Sequence, residues 1–254
     1  MSPFAMSRYG PAIVRIAVVV AFFAGVEAAI EAGWISRYVV PLPSEIFAAL
    51  YRVVAEEQVL TYFAITVGEA FAAFAGLVLI GIPFGVLLAR RRVLRDAWGD
   101  WVAGLAAAPM VLLYPLFLVI FGRSSVTIVM IGLVTGLPPV VMKTVEGLGG
   151  VRPVLLNVGR SFSLTEWQQF WKISLPAALP AVFLGLRLGL IYAMITVVAV
   201  EYLINLGGLG NLVGELAERY DLAATYAAVC FVIAVSILFF AAVERLERWL
   251  RLSV

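Results

Sequence analysis

The sequence predicts an all-α integral membrane protein with six transmembrane helices and a cytoplasmic helical loop between the fourth and the fifth. Of its 254 residues, 63% are hydrophobic and 13% are charged, and the mean hydropathy is +1.05, whereas only about half of a soluble domain is apolar. A span needs about 20 apolar residues, so the length allows about six spans with their connections. One long polar interval, residues 157–180, separates two apolar blocks. We therefore expect a single transmembrane domain over residues 1–254.

Several residue types that catalysis commonly needs are absent or rare. The chain has no histidine, which excludes histidine catalysis and histidine metal ligands within it, and we expect no metal site. Neither of its lysines, Lys143 and Lys172, ends a G-x-x-x-x-G-K-[ST] phosphate loop. If ATP drives this protein, another subunit must bind the nucleotide. The lone Cys230 is expected to be a small buried apolar residue.

The first half of the chain predicts three spans, at about residues 12–33, 62–88 and 98–121. Arg15 interrupts the first apolar run near one end, which favours an uncleaved helix over a signal peptide. After that span, Ser44 is the expected N-cap of an external amphipathic helix over about residues 44–57. Pro109 and Pro115 remove backbone donors and should kink or break the third span.

The second half predicts three further spans, at about residues 126–148, 177–203 and 222–243. Pro138 and Pro139 should make the fourth span irregular toward one end. Arg187 lies well inside the fifth span, and Glu201 lies near its far end. The glycines of residues 205–221 predict a turn-rich external loop before the sixth span.

The distribution of basic residues predicts the orientation, because cytoplasmic loops carry an excess of Lys and Arg. With the N-terminus inside, 13 of the 18 basic residues are cytoplasmic: Arg8, Arg15, Arg90, Arg91, Arg92, Arg95, Lys143, Arg152, Arg160, Lys172, Arg245, Arg248 and Arg251. The external side receives Arg37, Arg52, Arg123 and Arg219, and Arg187 is within a span. Both termini and the polar interval are therefore expected in the cytoplasm.

The polar interval contains the clearest helix start in the chain. Ser163 and Glu166 have the spacing of a capping box. Large apolar side chains then recur on one helical face, at Leu164, Trp167, Phe170 and Trp171. Because Pro176 and Pro180 should bound it, we expect a short helix over about residues 163–171. Such a helix can lie on the bilayer surface or dock into a soluble partner, and the residues alone favour neither.

The same interval resembles the "EAA" loop of bacterial ABC-importer permeases. The usual pattern of that loop is E-A-A-x-x-x-G, nine variable residues, a branched aliphatic residue, and L-P after one more position. Ile173, Leu175 and Pro176 fall in register with it. The segments VEAAIEAG, LPSEIFAAL, PPVV and GLG are also typical of the nitrate, sulfonate and taurine subgroup. The resemblance covers nearly the full length.

This chain departs from the family pattern at a few positions. Asn157, Val158 and Gly159 replace Glu-Ala-Ala, Ser163 replaces the usual glycine, and Glu69 stands where relatives usually carry arginine. The loss of the glutamate removes one expected polar contact, whereas Ser163 can still turn the chain and cap a helix. Glu69 reverses the sign of a charge inside the second span.

The resemblance implies a type I ABC importer permease fold in the bacterial cytoplasmic (inner) membrane. The chain would be the pathway subunit of an ATP-driven importer for a small polar or anionic solute of the nitrate, sulfonate or taurine, bicarbonate or thiamine-precursor kind. Its implied partners are a second permease, expected to be an identical copy, two ABC ATPase subunits that carry ATP and Mg²⁺, an extracytoplasmic binding protein and lipid. No nucleic acid, no cofactor of its own and no enzymatic activity are expected.

The resemblance also implies that the helix of about residues 163–171 is a coupling helix, which binds to an ATPase subunit. Its candidate contacts are Arg160, Ser163, Leu164, Glu166, Trp167, Gln168 and Phe170. Trp167 and Phe170 are the expected aromatic anchors. Four intramembrane residues are candidates for the pathway or for structural charges: Glu69, Arg187, Met194 and Glu201. Arg187 would line the pathway or, as we favour, bind carbonyls freed by the prolines of the third or fourth span.

Two other classes of protein compete with this interpretation. A secondary transporter that works without ATP would use Glu27, Glu69, Arg187 and Glu201 as its intramembrane charges. A membrane-embedded enzyme is disfavoured, because the sequence has no histidine, no G-x-S-x-G and no H-E-x-x-H.

Overall fold

The computed structural model describes residues 4–252, and the regular elements in that range are helices. Five stretches are long and apolar enough to cross a membrane, and one bent pair of helices, counted as a single span, makes six. The predicted all-α membrane architecture is confirmed. The chain ends themselves, which the predicted orientation places in the cytoplasm, lie outside the described residues.

The helices follow one another along the chain with short connections. They are α1 (Phe4–Glu31), α2 (Pro43–Glu56), α3 (Val59–Gly76), α4 (Ile82–Arg90), α5 (Arg92–Ala107), α6 (Tyr114–Phe121), α7 (Ser125–Gly149), α8 (Pro153–Ser161), α9 (Glu166–Gln169), α10 (Leu175–Ile204), α11 (Gly208–Glu218) and α12 (Leu222–Leu252). A π-helical turn, Leu77–Gly81, joins α3 to α4, and a second, Phe170–Ser174, joins α9 to α10. The chain forms two compact units, one up to Leu60 with Leu212–Val232, the other Thr61–Asn211 with the residues from Ile233 onward.

The first unit shows that Ser44 is not the N-cap of the amphipathic helix. The N-cap is Leu42, two residues earlier, and α2 begins at Pro43, a residue suited to a first helical position because its missing N–H would be unpaired there. The backbone N–H of Leu42 donates to the Glu45 carboxylate at 3.2 Å. The Ser44 hydroxyl instead donates to Glu27 of α1 at 2.6 Å. Ser44 therefore links two helices.

Ion pairs hold α2 to the turn between α11 and α12 in the same unit. Arg52 lies 2.6 Å from Asp221, and Arg219 lies 3.0 Å from Glu57. Asp221 also accepts from the backbone N–H of Ala224 at 3.0 Å, which caps the start of α12. Cys230, expected to be buried, is exposed on α12.

The core of the second unit is the crossing of α7 and α10. Gly136 and Gly189 face each other there, and a Cβ added to Gly136 would lie 2.5 Å from the Gly189 carbonyl oxygen. Glycines allow two helix backbones to approach this closely, and close packing drives helix association in lipid. Val140, Leu186 and Ala193 complete the buried contact. These two helices form the frame to which the other elements of the unit attach.

The prolines affect the third and fourth spans differently. Between α5 and α6 the chain bends by 93°, with a tight 3₁₀ turn at Met110–Leu113 after Pro109, so the predicted break is observed. The predicted irregularity of α7 is wrong, because the helix continues through Pro138 and Pro139. Packing of α7 against α10 on both sides of the pair holds the helix together where the two backbone donors are missing.

Residues 205–221 contain a helix and not the expected turn-rich loop. Asn205, Gly207 and Gly208 have positive φ values of 49°, 119° and 82° and turn the chain. The helix α11 then starts at Gly208, so the remaining glycines of the segment are helical. The chain turns again at Tyr220, which has a φ of 58°. The predicted turns therefore occur at the two ends of the segment, and a helix lies between them.

Candidate coupling and translocation sites

The polar interval folds as a helical hairpin, which we call the coupling hairpin: α8, the turn of residues 162–165, and α9. The turn at the end of α8 is a Schellman motif. The Ser163 N–H donates to the Arg160 carbonyl at 2.9 Å, and the Leu164 N–H donates to the Gly159 carbonyl at 3.0 Å. Ser163 has a φ of 54°, the left-handed conformation that glycine usually supplies at this position. The departure from the family's glycine therefore keeps the turn.

The capping box of α9 is formed by Thr165 and not by Ser163 as predicted. The Thr165 hydroxyl accepts from the Gln168 N–H at 3.3 Å, and the Gln168 side chain accepts from the Thr165 N–H at 3.0 Å. The helix starts at Glu166. Ser163 and Thr165 both satisfy the S/T-x-x-E/Q pattern. Ser163 belongs to the turn that ends α8, a helix that was not predicted, so Thr165 forms the cap. Gln168, expected to contact a partner, holds the cap.

The two arms of the coupling hairpin are bound to each other. The Gln169 side-chain amide donates to the Leu156 carbonyl at 3.1 Å. Gly159 is buried, and a Cβ there would lie 2.7 Å from the Cδ1 of Ile173. The family-matching Ile173 thus packs against α8. The hairpin behaves as one packed element and not as a loop that carries an isolated helix.

The two predicted aromatic anchors are neighbours, with ring centroids 6.3 Å apart, but differ in burial. Phe170 is only 9% exposed, and the guanidinium carbon of Arg90 lies 3.9 Å from its ring centroid, a cation–π arrangement. Trp167 is 63% exposed and lies 5.9 Å from the same guanidinium. Phe170 therefore fixes α9 against the end of α4, and Trp167 presents a surface. Arg90 was noted in the sequence only as part of a basic cluster, and nothing local revealed its partner.

The remaining coupling candidates are placed as follows. Arg160, Ser163 and Glu166 are exposed, and Leu164 is half-buried. The Arg160 guanidinium donates to Asn157 at 3.3 Å, so the residue that replaces the family's glutamate keeps a polar contact. Glu166 borders a groove of about 380 Å³ with Arg90 and Arg91.

Pro176 does not end the helix that carries Trp167. In the π-helical turn after α9, the Leu175 N–H donates to the Phe170 carbonyl. Pro176 then occupies the first turn of α10, where its missing N–H costs little. Residues Glu166–Ile204 form one helical run of 39 residues. The expectation of a short helix bounded by Pro176 and Pro180 is therefore wrong.

The four intramembrane candidates do not form one site. Glu69 and Glu201 come together and are 5% and 0% exposed. Met194 is 1% exposed and belongs to the core. Arg187 lies 3.5 Å from Glu244 of α12, with both side chains about 40% exposed. Its expected partners were backbone carbonyls, but its observed partner is a carboxylate contributed by the last helix.

A cavity of about 440 Å³ lies where α5 and α6 bend away from α7 and α10. Its lining is mostly apolar, with polar groups from Thr135, Lys143, Glu146 and Tyr192. Lys143 and Glu146 form an ion pair at 2.6 Å. None of the four predicted intramembrane residues lines it. The bend at Pro109 was the available sequence signal, since broken helices in membrane proteins are tolerated beside cavities.

Most of this architecture matches a known family of membrane proteins. The family described as "Binding-protein-dependent transport system inner membrane component" matches residues 81–252. The chain belongs to this family of ABC-importer permeases. The matched region begins at the end of the π-helical turn before α4 and includes the coupling hairpin, the α7–α10 crossing and all of α12.

Curated relatives transport different solutes. The glycine betaine/proline betaine permease ProW of Salmonella typhimurium is 32% identical over 182 residues, which are 68% of this chain and 49% of that protein. The nitrate import permease NrtB of Synechocystis is 28% identical over 56% of this chain and 52% of its own length. The taurine permease TauC of Escherichia coli is 25% identical over 72% and 69%. The chain thus spans about half the length of the first two.

A solved structure supports the fold. An inward-facing form of the MetNI methionine ABC transporter aligns with a TM-score of 0.61 and 21% identity, over 76% of this chain and 94% of that one. This likeness shows a type I importer permease fold.

Proposed function

We propose that this permease forms the pathway for a small polar or anionic solute, and that the coupling hairpin links it to ATP hydrolysis on separate subunits. The observation that carries the proposal is the exposed Trp167 on a hairpin continuous with α10. A surface tryptophan is a typical anchor for a protein partner. The hairpin has Arg160, Ser163 and Glu166 exposed around it, which suits a polar rim.

Family membership supports the remaining parts of the proposed importer. ATP and Mg²⁺ belong to two partner ATPase subunits, and the chain has no cofactor or enzymatic activity of its own. A second permease, an identical copy, completes the pathway, and an extracytoplasmic binding protein delivers the solute. Family membership disfavours the alternative of ATP-independent secondary transport.

The proposed orientation places both termini and the coupling hairpin in the cytoplasm of a bacterial cell, with the protein in the inner membrane. The excess of Lys and Arg supports it. The contact of Arg90 with Phe170 adds support, because it puts the basic end of α4 and the coupling hairpin at the same end of the second unit.

The solute class is supported by the relatives and by the cavity. Permeases for nitrate, taurine and aliphatic sulfonates are among the relatives, and betaines are zwitterions carried by another. In the cavity at the α5–α6 bend, the charges of Lys143 and Glu146 neutralise each other. We propose this cavity as part of the pathway, suited to a small solute such as a nitrate, sulfonate, bicarbonate or thiamine-precursor compound.

The deciding experiment replaces Trp167 with alanine in the assembled transporter. Truncating an aromatic anchor costs about 2 kcal/mol, which weakens association about thirtyfold. We expect Trp167→Ala to fold and insert, to lose co-purifying ATPase subunit, and to uncouple ATP hydrolysis from uptake in proteoliposomes.

Trp34→Ala is the matched control, because Trp34 is 86% exposed in the segment between α1 and α2. It should keep ATPase association unchanged. If Trp167→Ala also keeps full association and transport, the hairpin rests on lipid and the coupling proposal is wrong.

A further inference from the structure

The carboxylate of Glu201 is fully buried and is held by the start of α11. The Gly210 N–H donates to its Oε2 at 2.8 Å, and the Thr66 hydroxyl donates to the same oxygen at 3.0 Å. The Thr66 oxygen in turn accepts from the Leu209 N–H at 2.7 Å, which fixes the direction of its hydrogen. One oxygen of Glu201 therefore has two well-oriented donors. The other, Oε1, has no hydrogen-bond partner among the described residues.

Glu69 meets this unsatisfied oxygen from α3. It lies three residues after Thr66, so the two side chains share one helix face. Glu69 is 5% exposed, and its carboxyl oxygens accept no hydrogen bond of standard geometry from the described part of the chain, although the Ser125 hydroxyl at the start of α7 lies near them. Its carboxyl group is close enough to Glu201 to form a hydrogen bond. Two buried carboxyl groups thus touch, and as carboxylates both can only accept.

No basic side chain neutralises the pair. Among the described residues, no ion pair joins Glu69 or Glu201 to a lysine or an arginine. Arg123, which lies between α6 and α7, is the arginine near this end of α10. It donates to the carbonyls of Ile204 and Asn205. The other titratable or charged side chains on α3, α6, α7, α10 and α11 are tyrosines, two basic residues and three carboxylates: Tyr62, Tyr114, Tyr192, Tyr202, Lys143, Arg187, Glu146, Glu215 and Glu218.

We propose that Glu69 and Glu201 are a proton-binding site, in which one proton is shared between the two carboxyl groups. Protonated Glu69 donates to Oε1 of Glu201, and the single negative charge stays on Glu201, where Gly210 and Thr66 stabilise it. The proton turns a contact between two acceptors into a charge-assisted hydrogen bond. Two adjacent buried carboxylates, by contrast, would repel each other at high cost in a medium of low dielectric constant.

A proton fits this site better than a metal ion. Within the described residues there is no group of three or more acidic, cysteine or histidine side chains that could hold a metal. Glu201 has one oxygen already occupied by two donors, which leaves a single free oxygen for a ligand. One proton satisfies that oxygen and one oxygen of Glu69 together.

The shared proton connects α3 to the junction of α10 and α11. The glycines at the start of α11 make room for this contact, because a Cβ at Gly208 would overlap the Glu201 carboxylate. Loss of the proton leaves two charges in the packed interface, and the junction is then expected to loosen. The site thus makes the stability of this part of the permease depend on proton concentration.

The test compares the melting temperature of the purified transporter at mildly acidic and at alkaline pH. The wild type should lose about 4 °C at alkaline pH relative to Glu69→Gln, a shift that corresponds to about 1 to 2 kcal/mol in a chain of this size. The amide of Glu69→Gln donates permanently to Glu201 and carries no titratable proton. Glu244→Gln, a change at a half-exposed ion pair, should keep the wild-type pH profile.

Infrared difference spectroscopy gives a second readout that does not depend on folding stability. The wild type should show the carbonyl band of one buried protonated carboxyl group, and both Glu69→Gln and Glu201→Gln should lose it. Parallel pH profiles for the wild type and Glu69→Gln, together with no such band, would overturn the proposal. A melting temperature that rises with Na⁺ or Mg²⁺ in the wild type, but not in Glu69→Gln, would show that a metal ion occupies the site and would also overturn it.

Discussion

At the scale of single residues, Ser163 shows how a family position tolerates a substitution. Its left-handed backbone costs a non-glycine residue about 1 kcal/mol. We expect Ser163→Gly to keep the coupling hairpin and its ATPase association. Ser163→Val, which adds a branched Cβ to the same conformation, should lower the stability by about 1 kcal/mol or more, measured by thermal unfolding.

The control for Ser163 is Ser161→Val, because Ser161 is exposed at the end of α8 in a helical conformation. There the valine should cost about 0.5 kcal/mol or less. Equal losses at the two positions would show that the left-handed backbone is not what restricts residue 163.

A second prediction at the scale of single residues concerns Gly210. A Cβ there would overlap the Val198 carbonyl oxygen and crowd the backbone nitrogen of Tyr202, and backbone atoms cannot move aside as a flexible side chain does. Overpacking of this kind costs about 1 to 3 kcal/mol. Gly210→Ala should therefore lower the melting temperature of the purified permease.

Gly99→Ala is the matched change for Gly210→Ala. A Cβ at Gly99 of α5 meets nothing within 4 Å, and alanine is the better helix former. That variant should be as stable as the wild type or slightly more stable. If Gly210→Ala left the melting temperature unchanged, α10 and α11 would be packed less tightly than in the structure.

At the scale of elements, the coupling hairpin depends on the bond between its arms. Gln169→Leu keeps the size of the side chain but removes the hydrogen bond to the Leu156 carbonyl, a loss of about 1 kcal/mol. We expect faster amide exchange and faster proteolysis in residues 162–165. Lys172→Leu, on an exposed position of the following π-helical turn, is the control and should leave both rates unchanged.

The spans were predictable because each is a long apolar run, and apolar runs of this length have few alternatives. The boundaries inside polar segments were not. The start of α9 depends on where α8 ends, and α8 is only 9 residues long with a short apolar run, PVLL, at its start. The continuity of α7 through Pro138 and Pro139 depends on α10, a helix about 40 residues later in the sequence. Long-range packing of this kind decides what local propensity leaves open.

At the scale of the whole molecule, the orientation predicts which residues an impermeant thiol reagent reaches from outside the cell. The background variant must lack Cys230, because that cysteine is exposed. Trp34→Cys should label rapidly and Gln168→Cys should not. Both wild-type residues are exposed, so the difference reports the side of the membrane and not burial. Rapid external labelling at residue 168 would contradict the orientation.

The candidate site was predictable only in part. The motif Ile173, Leu175 and Pro176 located the coupling hairpin, because a family pattern records positions in the chain. The inward turn of Phe170, the partner of Arg187 and the contact of Glu69 with Glu201 each join residues from distant helices. No spacing within one segment contains that information.

The unbroken run from Glu166 to Ile204 makes the coupling hairpin one end of a lever. Its 39 residues reach about 58 Å at the rise of an α-helix. A tilt of about 5° around one end would displace the other by about 5 Å, nearly the pitch of one helical turn. Trp167 and Glu201 stand near opposite ends of this rod. A tilt about the middle of the rod would move both ends by similar distances, so a displacement of Trp167 is expected to reach the buried carboxyl groups.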